Sequence, residues 1–323
     1  MFGGKSSSAC LRSPSCFLPV REEMTMDHKL KKTRMGGVFF LAVCVGFNAT
    51  AQSVPPGAAV LGYTNCVIND NPTAAEIASG ETGNYNWFCG SFVAAQFSPT
   101  NCSTVNGALS LNFTGTSLNV ASVAKDLSAS ALPLFAGSNG FYAEFDVQLS
   151  DNNSDHWPAV WLMPTEHDHI VGWPGALTNP PIDIYPPDPT NFERWMEFDV
   201  DEGGWGSGLA GTVHNWTGIS PDYGNVQNPN NVDPTTLDRS QKHTFGGSYD
   251  PINGIVAWWV DGVYQMSAST PYVPAIAARQ HFYLILSAQS HGSNLPYSMY
   301  VSGVRVYVPV RPAPPTNLHV SSP

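Results

Sequence analysis

The stretch Arg194 to Gly206, RWMEFDVDEGGWG, places four carboxylates, Glu197, Asp199, Asp201 and Glu202, within six positions of a chain in which only 12% of residues are charged. Like charges so close repel one another, so the cluster works against fold stability unless it is solvated at a strand end or serves chemistry. On a strand alternate side chains share a face, which directs Trp195, Glu197 and Asp199 the same way. Strict alternation would add Asp201 next. A β-bulge, one extra residue in the strand, would instead carry Glu202 onto that face, and the Gly203-Gly204 pair makes such irregularity cheap.

On a flat strand Glu197 and Glu202 would stand roughly 13 Å apart at Cα. A curved sheet with inward-leaning side chains brings such carboxyl groups to about 5–5.5 Å, the separation at which one attacks an anomeric carbon and the other protonates the leaving oxygen. Asp199 between them would hydrogen-bond the nucleophile and help hold the two pKa values apart. A calcium loop is the other chemistry that clustered acids suggest. Counting from Asp199 puts Gly203 and Ala210 where an EF-hand needs ligands, so that reading fails.

A second segment, AGTVHNWTG, directs Thr212, His214 and Trp216 to one side of a strand and Val213 and Asn215 to the other. With Trp195 this supplies a histidine and two aromatics for a groove, and sugar rings present apolar CH faces that stack on aromatics. His156, His167 and His169 flank a Pro-rich stretch without an evident third ligand beyond Glu166 and Asp168, and no metal site is read from them.

These residues need strands to hold them, and period-two alternation recurs while helical periodicity is nearly absent. GFYAEFDVQLS alternates Phe141, Ala143, Phe145, Val147 and Leu149 with Tyr142, Glu144, Asp146 and Gln148, as a half-buried strand does. GIVAWWVDGVYQM is a hairpin turning at Asp261-Gly262. HFYLILSAQS and SMYVSGVRVYVPV read as two more strands, and LNFTGTSLNVAS as a further pair. Between them, the Pro-rich run from Pro164 to Glu193 and the Asn- and Asp-rich run from Ser220 to Asp238 read as long functional loops. Many short strands without intervening helices indicate an all-β sandwich of two antiparallel sheets.

The beginning of the chain differs in kind. Lys29, Lys31, Lys32 and Arg34 precede an apolar run from Met35 to Phe47 and an Ala49-Thr50-Ala51 cleavage signature, the pattern of a secretory leader. The apolar run is shorter than the about 20 residues that span a bilayer. The residues before Met24 read as an upstream extension, and a lipoprotein anchor at Cys44 fits poorly because valine precedes it. The expected organisation is therefore residues 1–51 as extension and leader, 52–309 as one domain, and 310–323 as a Pro-rich tail. The protein is expected to be secreted or periplasmic, monomeric, and free of the membrane once processed.

Without the first 51 residues the chain loses seven of its 14 Lys and Arg but only three of its 25 acids, leaving a net charge of −15. Such a balance disfavours nucleic acid, anionic lipid and strongly sulfated polymers and favours a neutral ligand. Three cysteines remain, Cys66, Cys89 and Cys102. A clip between two of them is expected, its pairing open.

Taken in order, GFYAEFDVQLS with WPAVWLMP, then EFDVDE, GTVHNW, HTFGGSYDPINGIVAWWVDG, FYLILSAQS and SGVRVY resemble successive strands of glycoside hydrolase family 16, over about Gly140 to Tyr307. The E-x-D-x-x-E core is similar to that of its laminarinase-like members. The resemblance implies a concanavalin-like β-jelly roll with a concave cleft and a retaining endo-mechanism on a β-linked polysaccharide, most simply a neutral β-1,3- or β-1,3-1,4-glucan. It implies Glu197 as nucleophile, Glu202 as acid/base and Asp199 as supporting carboxylate. Trp195, His214, Trp216, Trp157 and Trp161 are implied to bind substrate or floor the cleft.

Two departures bear on this. SAQSHGSN stands where members active on β-1,3-glucan usually carry an N-L-A-V-G-G run, and Ser302 where many have an aspartate associated with structural calcium. No cofactor is expected. An agarase-type galactanase shares the scaffold and the carboxylates, and a non-catalytic carbohydrate-binding jelly roll would keep the groove without turnover.

Overall fold

The computed structural model describes residues 53–79, 85–89, 101–124, 136–167, 185–206, 208–229, 236–291 and 295–310. The expected leader, His169, and the tail from residue 311 lie outside them. No described helix is long and apolar enough to cross a membrane.

Two antiparallel sheets form a jelly-roll sandwich. The seven-stranded sheet runs β10 (Asp222–Gln227), β9 (Thr212–Ile219), β8 (Glu193–Glu202), β7 (His156–Pro164), β14 (Phe282–Ser290), β5 (Leu118–Ala124), β2 (Tyr85–Cys89). The eight-stranded sheet runs β13 (Val263–Ala268), β12 (Ile255–Val260), β11 (His243–Asp250), β6 (Phe141–Leu149), β15 (Tyr297–Val308), β4 (Ala108–Phe113), β3 (Cys102–Val105), with β1 (Asn65–Asp70) also on β15. The two strands expected in LNFTGTSLNVAS form, but β4 and β5 enter opposite sheets. The Asp261-Gly262 turn has φ of 52° and 77°, as a type I′ hairpin requires.

The core lies between the sheets. Phe141, Ala143, Phe145, Val147 and Leu149 of β6 share it with Met196, Phe198 and Val200 of β8 and with Leu284 and Leu286 of β14. Each fully buried Phe there contributes about 1.5–3 kcal/mol. Alternate residues of β14, Tyr283 and Ile285, pack on the opposite, cleft face with Trp161, Met163 and Trp195, which is why FYLIL reads as an unbroken apolar run.

Three expectations need correction. β6 is not half-buried: Tyr142 and Glu144 are buried as well. The short helix α1 (Pro56–Val60) brings Ala58 against Tyr142, with Tyr63, Trp259 and Tyr307 in the same cluster, while Arg305 bonds the Glu144 carboxylate. The Asn- and Asp-rich run is not wholly loop, because Asp222–Gln227 pairs with β9 from Ile219 to His214. Its polar composition suits an edge strand with mostly exposed side chains. Among the described residues no cysteine clip forms, since Cys66 and Cys102 are free thiols; the side chain of Cys89 lies outside the described ones. Cys66 pairs with Tyr307 near one end of β15, whereas Cys102 is level with Leu111 and hence Met299 near the other. At ~3.3 Å per residue those rungs lie roughly 25 Å apart, far beyond disulfide reach.

Candidate active site

β8 carries the cluster, and a bulge sets its geometry. Leu162 pairs with Phe198 and Trp161 with Asp199, but Val160 pairs with Asp201 and Ala159 with Glu202. Val200 is the extra residue. It enters the core, so alternation is reset and Glu202, not Asp201, joins Glu197 and Asp199 on the cleft face. Gly247 of β11 makes room opposite, for a Cβ there would meet Val200 at 2.7 Å and Phe198 at 2.9 Å. Trp258 Nε1 donates to the Asp199 carbonyl at 2.8 Å, pinning the strand just before the bulge.

Asp201 turns inward instead. It is 2% exposed and accepts two hydrogen bonds from the buried Arg239 guanidinium, which also donates to the Gly208 carbonyl. Nothing near the motif in sequence announces this partner. Gln280 is equally remote: its Oε1 accepts from the Met196 N–H and its Nε2 donates to the Arg194 carbonyl, steadying the start of β8.

On the cleft face Asn119, Trp157, Ala159, Trp161, Glu197, Asp199, Glu202 and Gln289 line one open pocket. Each glutamate is held by an indole. Trp216 Nε1 donates to Glu197 Oε2 at 2.7 Å, and Trp157 Nε1 donates to Glu202 Oε1 at 3.0 Å, leaving the other oxygen of each free of those bonds. Trp161 Nε1 instead donates to Ser287 Oγ at 2.8 Å, fixing it as floor. Asn119 and Gln289, on β5 and β14, carry no pattern that singles them out in sequence.

Electrostatics separate the carboxylates. Burial, then the charge of Asp199, raises Glu197 to about 7, with His214 and the Trp216 hydrogen bond pulling the other way. Burial, then Asp199 and Glu197, raises Glu202 further, to about 8, against the pull of His214 and Trp157. His214 Nε2 lies 3.2 Å from Asp199 Oδ2. Burial disfavours its charge, yet Asp199 and Glu197 lift it to about 9, so near neutral pH it is an imidazolium. Carboxyl oxygens of Glu197 and Asp199 and a ring nitrogen of His214 lie within 4.8 Å of one another. The arrangement can keep a proton on Glu202 while Glu197 is ionised.

Trp195 does not offer an open face. It is 3% exposed, with His167 stacked on it at 3.4 Å and 13° and Trp216 parallel at 5.7 Å. His156 sits elsewhere, bonded to Asp151 and stacked on Tyr297.

No family model matches the chain, and no curated protein matches it. Among solved structures it is similar to an endo-1,3-β-glucanase from Streptomyces sioyaensis (18% identity, TM-score 0.47, covering 81% of this chain and 100% of that one). It is also similar to an endo-β-1,3-glucanase from Pyrococcus furiosus (18%, 0.46, 76% and 94%) and to the κ-carrageenase of Pseudoalteromonas carrageenovora (16%, 0.44, 70% and 97%). Likeness at this level leaves the chemistry to be read from the site.

Proposed function

We propose that the protein is an exported retaining endo-glycosidase of the glycoside hydrolase family 16 type, cutting a neutral β-1,3- or β-1,3-1,4-glucan. The observation that carries the reading is the pair Glu197 and Glu202 on one face of a bulged strand, each clamped through one oxygen by an indole N–H. In the first step the free oxygen of Glu197 attacks the anomeric carbon, the glycosidic C–O bond breaks, and Glu202 gives its proton to the departing oxygen. In the second Glu202 takes a proton from water, the resulting hydroxide attacks the anomeric carbon, and the bond to Glu197 breaks. The imidazolium of His214 and the Trp216 hydrogen bond favour the ionised form of Glu197 against the repulsion of Asp199. The chain's −15 balance beyond residue 51 supports an uncharged polymer over a sulfated one.

The test is new reducing ends from laminarin, barley mixed-linkage glucan, agarose and carrageenan, with Glu197→Gln in parallel. The parent releases ends from a glucan, and the variant loses at least about 10³-fold, as removal of a nucleophile does. Equal activity in the variant would falsify the mechanism. Cleavage of agarose alone moves the substrate to a galactan, and binding to a glucan without any cleavage moves the protein to the non-catalytic class.

A further inference from the structure

Beyond Glu202 the chain turns through Gly203 and Gly204, and the turn is built around an imidazole. Gly204 has a φ of +87°, and a Cβ on it would stand 2.5 Å from Cδ2 of His291, so glycine alone lets the ring settle there. His291 stacks on Trp157 at 3.8 Å and 12°, the same indole that donates to Glu202. Its other ring neighbour is Trp205, at 4.2 Å and 60°. Burial lowers the pKa of His291 against a backbone hydrogen bond with Gly203, so the stack is uncharged at neutral pH. Trp205 itself is 55% exposed, its ring in tilted contact with the imidazole and the rest of its surface open.

We infer that Trp205, set against His291 where that ring stacks on Trp157, is a stacking platform for a pyranose ring in the departing half of a neutral polysaccharide. The inference rests on Glu202 being the proton donor. Displacement is in line, so the breaking bond points from the anomeric carbon away from Glu197 and toward Glu202. Trp157 lines the pocket and bonds Glu202. It carries His291, and through it Trp205, on the side of the proton donor, where the sugar that leaves must lie. An exposed indole matches the apolar CH face of a pyranose and gives area without charge, whereas the buried Trp195 has no face left to offer.

The test compares the parent, Trp205→Ala and Trp205→Phe on laminari-oligosaccharides and on laminaribiosyl fluoride, whose leaving group is a single atom. Trp205→Ala raises KM for the oligosaccharides about two- to tenfold, the fold-change equivalent of an aromatic stack, and leaves fluoride hydrolysis unchanged; Trp205→Phe recovers part of the loss. No change on oligosaccharides, or an equal loss on the fluoride, overturns the platform. A fluorescence titration with laminarihexaose in the Glu197→Gln background separates the two readings. Weaker binding on adding Trp205→Ala supports the platform even where the parent fails to cleave, and unchanged binding overturns it even where the parent does.

Discussion

An indole N–H only donates, so a carboxylate oxygen facing it is favoured as an acceptor and the proton, when present, is directed to the other oxygen. Trp157 and Trp216 impose this on Glu202 and Glu197. Both bonds favour the charged carboxylate and so counteract burial. Hydrogen bonds to charged groups are worth about 1.5–3 kcal/mol, or roughly one to two pKa units. Trp216→Phe is therefore expected to raise the acid limb of the kcat/KM profile by about one unit, because Glu197 must be ionised to attack. Trp157→Phe raises the alkaline limb by a similar amount, because Glu202 then holds its proton longer. The limbs belong to the coupled pair, so the direction and the difference between the variants are what a pH–rate profile checks. Alternation along its strand placed Trp216 on the side of His214, and the family resemblance implied a cleft role for Trp157. Neither could assign them to the carboxylates, because the donor atom sits on a neighbouring strand and alternation says nothing of which way an indole nitrogen points.

At the scale of elements the site is the bulge in β8 and its supports. The bulge was legible as one of two possibilities, since Gly203-Gly204 and the E-x-D-x-x-E spacing allowed it; what selects it is the packing of Val200 into the space left by Gly247. The supports were not legible. Arg239, Gln280 and Trp258 lie far from the motif in sequence, and only tertiary packing, including that of the opposite sheet for Trp258, brings them beneath it. β10 was hidden for a different reason, as an edge strand needs backbone partners more than apolar side chains. Arg239→Met tests the support directly. It leaves the buried Asp201 carboxylate unpaired beside the bulge, which costs about 3–5 kcal/mol and, by loosening β8, lowers kcat as well. Adding Asp201→Asn removes the orphaned charge and restores most of the stability in a denaturant titration. A single variant as stable as the parent would mean that Asp201 finds another partner or solvent.

Across the whole molecule two kinds of buried charge oppose each other with pH. Burial raises Asp146, but bonds from Arg305 and Thr244 bring it below the usual aspartate range, so its contribution is present above the unfolded value and lost as pH falls through the folded one. Glu197 and Glu202 act in the other direction. Their folded pKa values of about 7 and about 8 exceed the about 4.3 of an unfolded glutamate. Below that value both states hold the protons. Between about pH 4.3 and 8 the unfolded chain releases them while the folded chain retains them, so stability falls as pH rises. His214, raised to about 9, loses its contribution in the same sense from its unfolded value of about 6.5 upward. Stability is thus greatest in mildly acidic solution, below the range where the pair ionises. Glu202→Gln keeps the shape of the side chain and removes one titration, while His214 and Asp146 remain. Its Tm is expected to match that of the parent near pH 4.5 and to exceed it by several degrees at pH 8, at about 2–4 °C per kcal/mol for a domain of this size. Scanning calorimetry at the two pH values reads the difference, and an equal offset at both would place the effect in packing instead of charge. A site that destabilises its own fold at working pH is what an acid and a nucleophile crowded onto one strand face demand.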